Sequence, residues 1–327
     1  MLLPNKMVSI IILNWNGMSF TKPCIQSIRE NTEYKPFEII VVDNGSRAAE
    51  VKQLQQSHSK GLIQQLILNK CNRGFAGGNN QGLRVAKGDF FILLNNDTVV
   101  KPNWLHGLVA VALSDEKIGI IQPDLPERID EKQPFCGGYI DDRGSARLSI
   151  KQEGAFFQQL EQAAGAAFFF KKTVFEKIGF LDEGFNPIYF EETDYCARAR
   201  KAGFKVGYTA KSRVIHLVSK SIKKQTSKWQ YLTVNKNRIR FMLLHFSKKR
   251  LAKAFFWESL RVAKSIANMQ IHWLLQAYWT NLKNLNEILE KRKRYSKGDL
   301  MVKRPPAEAG NLLEKGLRKN ALRQGVG

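Results

Sequence analysis

The sequence has few cysteines and places none of them near another. Cys24, Cys71, Cys136 and Cys196 are scattered along 327 residues, without the close pair that a metal knuckle or small disulfide framework requires. That usage reads as four ordinary thiols in a reducing, cytoplasmic compartment. Also missing is an uninterrupted apolar stretch of membrane-spanning length. The first residues, Met1 to Lys6, lack a signal peptide's charged start, apolar stretch and small-residue cleavage site. Acidic residues are sparse in one region only. Residues 211–327 carry 27 Lys and Arg against 6 Asp and Glu, a net of +21, whereas residues 1–210 carry 25 against 23. Nearly all of the +23 net charge therefore sits in the last third, and any anionic surface the protein meets is met there. Apolar material is ample. At 43% hydrophobic residues the chain can bury a sizeable core, and wholesale disorder is excluded. The length accommodates one large α/β domain with an appendage, or two domains.

Val8–Leu13 is a continuous β-branched run, the mark of a strand buried on both faces of a parallel sheet. The spacing predicts further strands over Phe37–Val42, Leu62–Leu68 and Phe90–Leu94, separated by helices over Ser19–Arg29, Ala48–Gln56 and Phe75–Ala86. Such alternation argues for right-handed βαβ units and an α/β fold with a mostly parallel sheet flanked by helices. Ligands of these sheets bind outside the carboxyl ends of the strands. Three of those ends are polar: Asn14-Trp15-Asn16-Gly17, Asp43-Asn44-Gly45-Ser46 and Asn95-Asn96-Asp97-Thr98. One Asp after a strand is most often a turn or cap residue. Three polar ends meeting at one crevice are harder to assign to turns alone, and Trp15 offers a face on which a base can stack. The stretch Asn72–Asn80, with Arg73, Gly74 and Asn79, adds backbone N–H groups and a cation to the same side. It follows neither the dinucleotide GxGxxG order nor that of a P-loop, which excludes a Rossmann dehydrogenase and a P-loop ATPase.

Further along, the small-residue segment Ala163–Ala167 reads as a strand. Glu191, Glu192 and Asp194 crowd the start of a helix that carries Tyr195, Arg198 and Arg200. Helix electrostatics alone explain that order, with acids in the first turn and bases later. Crowded carboxylates also raise one another's pKa, which suits a general base working near neutral pH. His216 follows a strand expected at Lys205–Tyr208, and a lone His of this kind is more often a structural residue than a metal ligand.

The runs VSIIILNWNG, VVDNGS, NRGFAGGNNQG and FFILLNNDT are followed in order by AAGAAFFFKKTVFEKIGFLDEGFNPIYFEETDYCARARKAGFKVGYTAKSRVIH. Together they resemble the family-2 inverting glycosyltransferases of GT-A fold, nearest to the bacterial rhamnosyltransferase-like branch. The likeness covers roughly residues 7–250, in order and with family-like spacing. It implies transfer of a sugar, possibly rhamnose from dTDP-rhamnose, from a nucleotide-sugar donor to a lipid-linked or polysaccharide acceptor. By the same resemblance Asp97 is the ligand of a Mg²⁺ or Mn²⁺ ion that neutralises the leaving diphosphate, and His216 completes that metal site. Asn95 stands where the first Asp of the family's DxD motif contacts ribose. Asp43 stands where the base or ribose is held, with Asn14, Trp15 and Arg73 close by. Glu192 occupies the second position of the family's E-D pair and is the implied catalytic base, with Glu191 and Asp194 as second choices. Two departures stand out: Asn95 replaces an Asp, and Glu192 reaches one methylene further than the usual Asp.

From Lys228 to Glu290 the pattern is helical, with aromatic residues interleaved with basic ones. Phe256, Leu260, Ala263, Ala267 and Trp273–Leu274 fall near one helical face. Such a face suits either a hairpin packed on the catalytic domain or helices lying on the inner leaflet of a membrane, with Lys and Arg on anionic headgroups. The other polyanion, nucleic acid, has no helix-turn-helix, zinc-finger or RNP-like pattern to meet it. The expected organisation is a catalytic domain over residues 1–227, a basic helical extension over 228–295 and a flexible basic tail over 296–327. The segment Pro123–Gln162, with Cys136-Gly137-Gly138-Tyr139 and Asp141-Asp142, reads as an acceptor loop. Two other functions stay open on the residues: a nucleotidyltransferase, which lacks here its usual Gly-rich loop after the first strand, and a binding module without catalysis.

Overall fold

The computed structural model describes residues 5–126, 135–217 and 227–303. The chain runs β1 (Val8–Asn14), α1 (Met18–Asn31), β2 (Phe37–Asp43), α2 (Ala48–Ser59), β3 (Gln65–Leu68), α3 (Gly74–Val85), β4 (Phe90–Leu94), β5 (Thr98–Val100), α4 (Trp104–Ser114) and β6 (Ile118–Asp124). A hairpin of β7 (Phe135–Ile140) and β8 (Ala146–Ile150) follows, then β9 (Gln158–Leu160), β10 (Ala167–Lys171), α5 (Lys172–Ile178), α6 (Glu191–Lys201) and β11 (Lys205–His216). The chain closes with α7 (Ser227–His245), α8 (Lys248–Ala267), α9 (Ile271–Lys283) and α10 (Leu285–Ser296).

The main sheet has the order β3-β2-β1-β4-β10-β6-β11-β5, with β9 pairing on β11. Its first half is parallel throughout, as the βαβ spacing implies. β10 runs antiparallel to both β4 and β6, and β11 is again parallel to β6, so the sheet is mixed. β10 is entered through a short turn that follows β9. The segment Ala163–Ala166 is that turn and not part of a strand, a correction to the sequence reading; only Ala167 belongs to β10.

Period-two alternation sorts each strand's side chains into two cores. Val8, Ile10 and Ile12 of β1 join Met18, Cys24, Ile25 and Ile28 of α1 on one face. Ile11 points the other way, into a core with Phe91, Phe168, Phe170 and Tyr195. α3 lies so close to β1 that a Cβ on Gly82 would stand 2.5 Å from the Ile11 side chain. That part of the glycine-rich stretch therefore serves packing.

The C-terminal helices do not form a separate layer. Phe241, Met242 and Leu244 of α7, with Phe246 just beyond it, share the core of Phe168 and Phe170, and α10 adds Ile288 and Tyr295. The chain also stays packed beyond Ser296: Leu300 is buried, and Val302 donates its N–H to the Ile178 carbonyl at 2.9 Å. The remainder of the expected tail, from residue 304, lies outside the described residues, as do residues 127–134 of the expected acceptor loop.

Candidate active site

The carboxyl ends of β1 and β2 are tied to each other by side chains. Asn14 and Asp43 are register partners, and the Asn14 amide donates to Asp43 Oδ1 at 2.8 Å and to Ser46 Oγ at 3.1 Å. Thr21 Oγ1 donates back to Asn14 Oδ1 at 2.7 Å. Asp43 Oδ2 accepts from the Gly45 and Ser46 N–H groups at 3.2 and 2.9 Å. A carboxylate offers about four acceptor positions, and this fully buried Asp43 uses three of them within the protein. Trp15 stands half-exposed on the lip above, followed by Asn16 at φ 48°. Arg73 is half-buried at the N-terminus of α3, and the Asn44 amide ties the Gly74 carbonyl to the β2 end at 3.1 Å. Asn79 is buried, and its amide donates to Phe75 O of its own helix.

At the end of β4, Asn96 donates to Thr21 Oγ1 at 2.9 Å, and the Asn95 N–H donates to Ala166 O at 2.9 Å. Asp97 is buried and faces His216: Oδ1 and Nε2 are 3.3 Å apart, because β5 pairs antiparallel with the last residues of β11. A carboxylate and an imidazole so placed are a donor pair that suits a divalent cation. No group of three or more His, Cys, Asp and Glu positioned for a metal occurs among the described residues.

The Ala163–Ala166 turn separates Asn95 from the acidic helix start. Gln122 Oε1 pins it by accepting from Ala164 N at 2.8 Å. A Cβ on Gly165 would meet Glu192 Oε1 at 1.8 Å, so glycine there makes room for that carboxylate. Three neighbouring acids have three different environments. Glu192 is half-buried, and burial pushes its carboxyl up to about 7. Glu191 is fully buried with no hydrogen bond to either oxygen, and burial together with the Glu192 charge holds it well above the usual carboxylate range. Asp194 is buried too, yet the Arg198 guanidinium at 2.8 Å and His245 Nε2 at 2.7 Å overcome that burial and hold it below the ordinary value. The elevation of Glu192 thus arises from burial, whereas the sequence suggested mutual crowding.

Residues far along the chain support this site and carried no signal in the sequence. Tyr189 and Phe190 enter α6 with φ of 81° and 74°, a left-handed conformation that costs roughly 1–2 kcal/mol per residue. The Asn237 amide of α7 donates to the carbonyls of Phe185, Ile188 and Tyr189 and clamps this kink. Asp182 caps the turn before it and is gripped by Arg240 at 2.9 Å and Lys291 at 2.7 Å. Lys236, pushed down to about 8 by burial and by the neighbouring Arg240 charge, is the cation whose field reaches Glu191. In the expected acceptor loop, Asp141 caps the β7–β8 turn with Arg147, Asp142 pairs with Arg250 at 2.9 Å, and Cys136 is buried. Tyr139 remains half-exposed. A cleft of about 250 Å³ runs beside α6, lined by Gln162, Thr193, Ala197, Arg200 and Lys201 with Arg250 opposite.

A parallel β3-β2-β1-β4 half with polar strand ends, joined through an antiparallel β10 to an acidic helix start, is the arrangement of the GT-A fold. The model of glycosyl transferase family 2 matches residues 9–179, just over half of the chain, and the chain belongs to that family. It is 29% identical over 228 residues to a hyaluronan synthase of Pasteurella multocida, covering 60% of this chain and 23% of that protein. It is 26% identical over 216 residues to a low-salt glycan biosynthesis hexosyltransferase of Haloferax volcanii, covering 64% of this chain and 66% of that one. The chain thus matches about a quarter of the first relative's length and just under two thirds of the second's. The crystal structure of GalNAc-T7 with UDP, GalNAc and Mn²⁺ superposes with a TM-score of 0.64 at 18% identity, over 88% of this chain and 58% of that one, a likeness of fold.

Proposed function

We propose that the protein is an inverting glycosyltransferase that moves a sugar from a nucleoside-diphosphate donor to a hydroxyl of a lipid-linked or polysaccharide acceptor. The observation that carries this reading is Glu192: a half-buried carboxyl raised to about 7, seated against Gly165 across one turn from Asn95. A group of that pKa is free to take a proton near neutral pH. In the reaction it receives the acceptor hydroxyl proton as the oxygen attacks the anomeric carbon. The bond from that carbon to the diphosphate oxygen breaks, and the nucleoside diphosphate leaves. Asp194 is held in a buried ion pair and serves position rather than proton transfer. Glu191, unpartnered and raised, keeps its proton and leaves the negative charge to Glu192.

On the donor side, Asp43 and Asn14 hold the base or ribose beneath Trp15. Arg73 approaches the diphosphate from the N-terminus of α3, where the Gly74 and Phe75 N–H groups are already taken by Asn72 Oδ1 and the Pro187 carbonyl, and Asn95 hydrogen-bonds the ribose. Asp97 and His216 would hold Mg²⁺ or Mn²⁺, which supplies Lewis-acid neutralisation of the leaving diphosphate when bound. Support for the cation comes from the donor set of Asp97 and His216 and from the Mn²⁺ of the GalNAc-T7 crystal. Reduced thiols throughout suit the cytoplasmic face of a membrane as the place of reaction. The test is a donor screen of purified protein against UDP-, GDP- and dTDP-sugars, with and without Mn²⁺, dTDP-rhamnose first on branch resemblance. Hydrolysis or transfer of at least one donor is expected. Absence of turnover and of donor binding across the set would remove the reading.

A further inference from the structure

Helix α8 presents its apolar side to water. Its inner side is marked by Ala254, Glu258, Arg261 and Ser265, where Glu258 pairs with Arg238 at 2.7 Å and accepts from Tyr278 Oη at 2.7 Å. At about 100° per residue, the opposite side collects Ala252, Phe255, Phe256, Leu260, Ala263, Ile266 and Ala267, and every one of them is exposed. Phe255 is 78% exposed and Phe256 60%, and Met269 in the following turn is 81% exposed. Lys253 and Lys264 flank this side, and Lys248 and Lys249 stand at its N-terminal end. The single acid of α8, Glu258, is on the buried side. α9 continues with exposed Leu275, Trp279 and Leu282 at helical spacing.

A soluble face buries such residues or intersperses them with both charge signs. This one has aromatic and aliphatic side chains with Lys253 and Lys264 along one edge, Lys253 reaching Asp142 at 3.4 Å, in the third of the chain that holds nearly all of the net charge. The complementary occupant is apolar within and anionic at its edge. We infer that the outer face of α8, with the Met269 turn, is the surface by which the protein lies on an anionic lipid bilayer. Phe255, Phe256, Ile266 and Met269 enter the acyl boundary, and the flanking lysines meet headgroup phosphates. No helix among the described residues is long and apolar enough to cross a membrane, so attachment by this face is in-plane. That it serves to bring Glu192 to a membrane-borne acceptor rests on the function proposed above; the lipid contact itself rests on α8.

The experiment is co-sedimentation of the full-length protein with vesicles of phosphatidylglycerol or of phosphatidylcholine at low and high salt, alongside donor hydrolysis. Binding to phosphatidylglycerol vesicles is expected to fall as salt rises without vanishing, since screening acts on the lysines and not on the phenylalanines. Phosphatidylcholine vesicles bind much less. The double variant F255S/F256S, altered only at exposed positions, is expected to lose binding by at least about tenfold while hydrolysing donor at the wild-type rate. Full-length protein that ignores phosphatidylglycerol vesicles at low salt overturns the inference. So does a double variant that binds as wild type, or a wild-type dimer that becomes monomeric in the double variant and shows no lipid binding. Vesicle binding without turnover of any donor would instead sink the proposed function and leave the lipid surface standing.

Discussion

Asp97 Oδ1 and His216 Nε2 face each other at 3.3 Å, joined by the short antiparallel pairing of β5 with the end of β11. This pair predicts the behaviour of two variants. Asp97→Asn removes a hard oxygen ligand with little change in volume, so turnover in saturating Mn²⁺ or Mg²⁺ is expected to collapse while the melting temperature stays near wild type. His216→Ala is expected to raise the Mn²⁺ concentration needed for half-maximal rate about tenfold or more. Near-normal turnover of Asp97→Asn would show that the cation sits elsewhere.

Glu192→Gln is expected to lower kcat by about 10²–10⁴-fold with little change in donor binding, the scale of a lost general base. In the wild type, rate rises as pH passes upward through about 7, where Glu192 ionises. Stability moves the opposite way. The folded protein resists ionisation of Glu192 between the ordinary value of 4.5 and about 7, so its stabilising share is present in acid and lost as pH rises through that window. Glu192→Gln therefore melts higher than wild type at mildly alkaline pH and loses the advantage in acid. A variant that is both inactive and less stable at alkaline pH would contradict the burial argument.

Gly165→Ala places a methyl 1.8 Å from Glu192 Oε1. The atom met is the free end of a side chain, so the carboxylate moves and the backbone stays. Loss of kcat with a small change in melting temperature is expected. Adding Glu192→Asp, which shortens the carboxylate by one methylene, should recover part of the rate. No recovery would mean that Gly165 matters for the turn and not for the base.

Asp194→Asn breaks a buried ion pair and leaves the Arg198 charge without its carboxylate, so a loss of about 3–5 kcal/mol is expected, read by denaturant unfolding. Arg240→Ala is expected to cost less, because Asp182 keeps Lys291 at 2.7 Å. For Asp194 the sign with pH is fixed: its folded value is depressed, so its contribution is present above the ordinary value of 3.8 and disappears as pH falls through the folded one.

The first half of the sheet was legible because β1, β2 and β4 are buried on both faces and read as nearly continuous apolar runs, from Val8 to Leu13 and again at Phe37 and Phe90. The direction of β10 was not legible, since hydrophobic periodicity carries no polarity. Only contact with Asn95 and Glu192 explains why Ala163–Ala166 is small without being strand. Asn237, Arg240 and Lys291 looked like members of a basic helical stretch, and their partners near residue 185 are visible only once α7 and α10 dock. Of the face read as Phe256, Leu260, Ala263, Ala267 and Trp273–Leu274, the first four do share the outer side of α8, but Trp273–Leu274 belong to α9, where Leu274 is buried. Spacing cannot tell an inward face from an outward one.

One amide, that of Asn237, holds three carbonyls of the kink that aims Glu192. In the proposed reading the nucleotide is gripped from the ends of β1, β2 and β4 together with His216, while the seat of the base waits for a helix that begins at Ser227. A fragment cut at residue 227 would strip Phe241, Met242 and Leu244 from the core they share with Phe168 and Phe170, so the two ends of the chain can only be completed together.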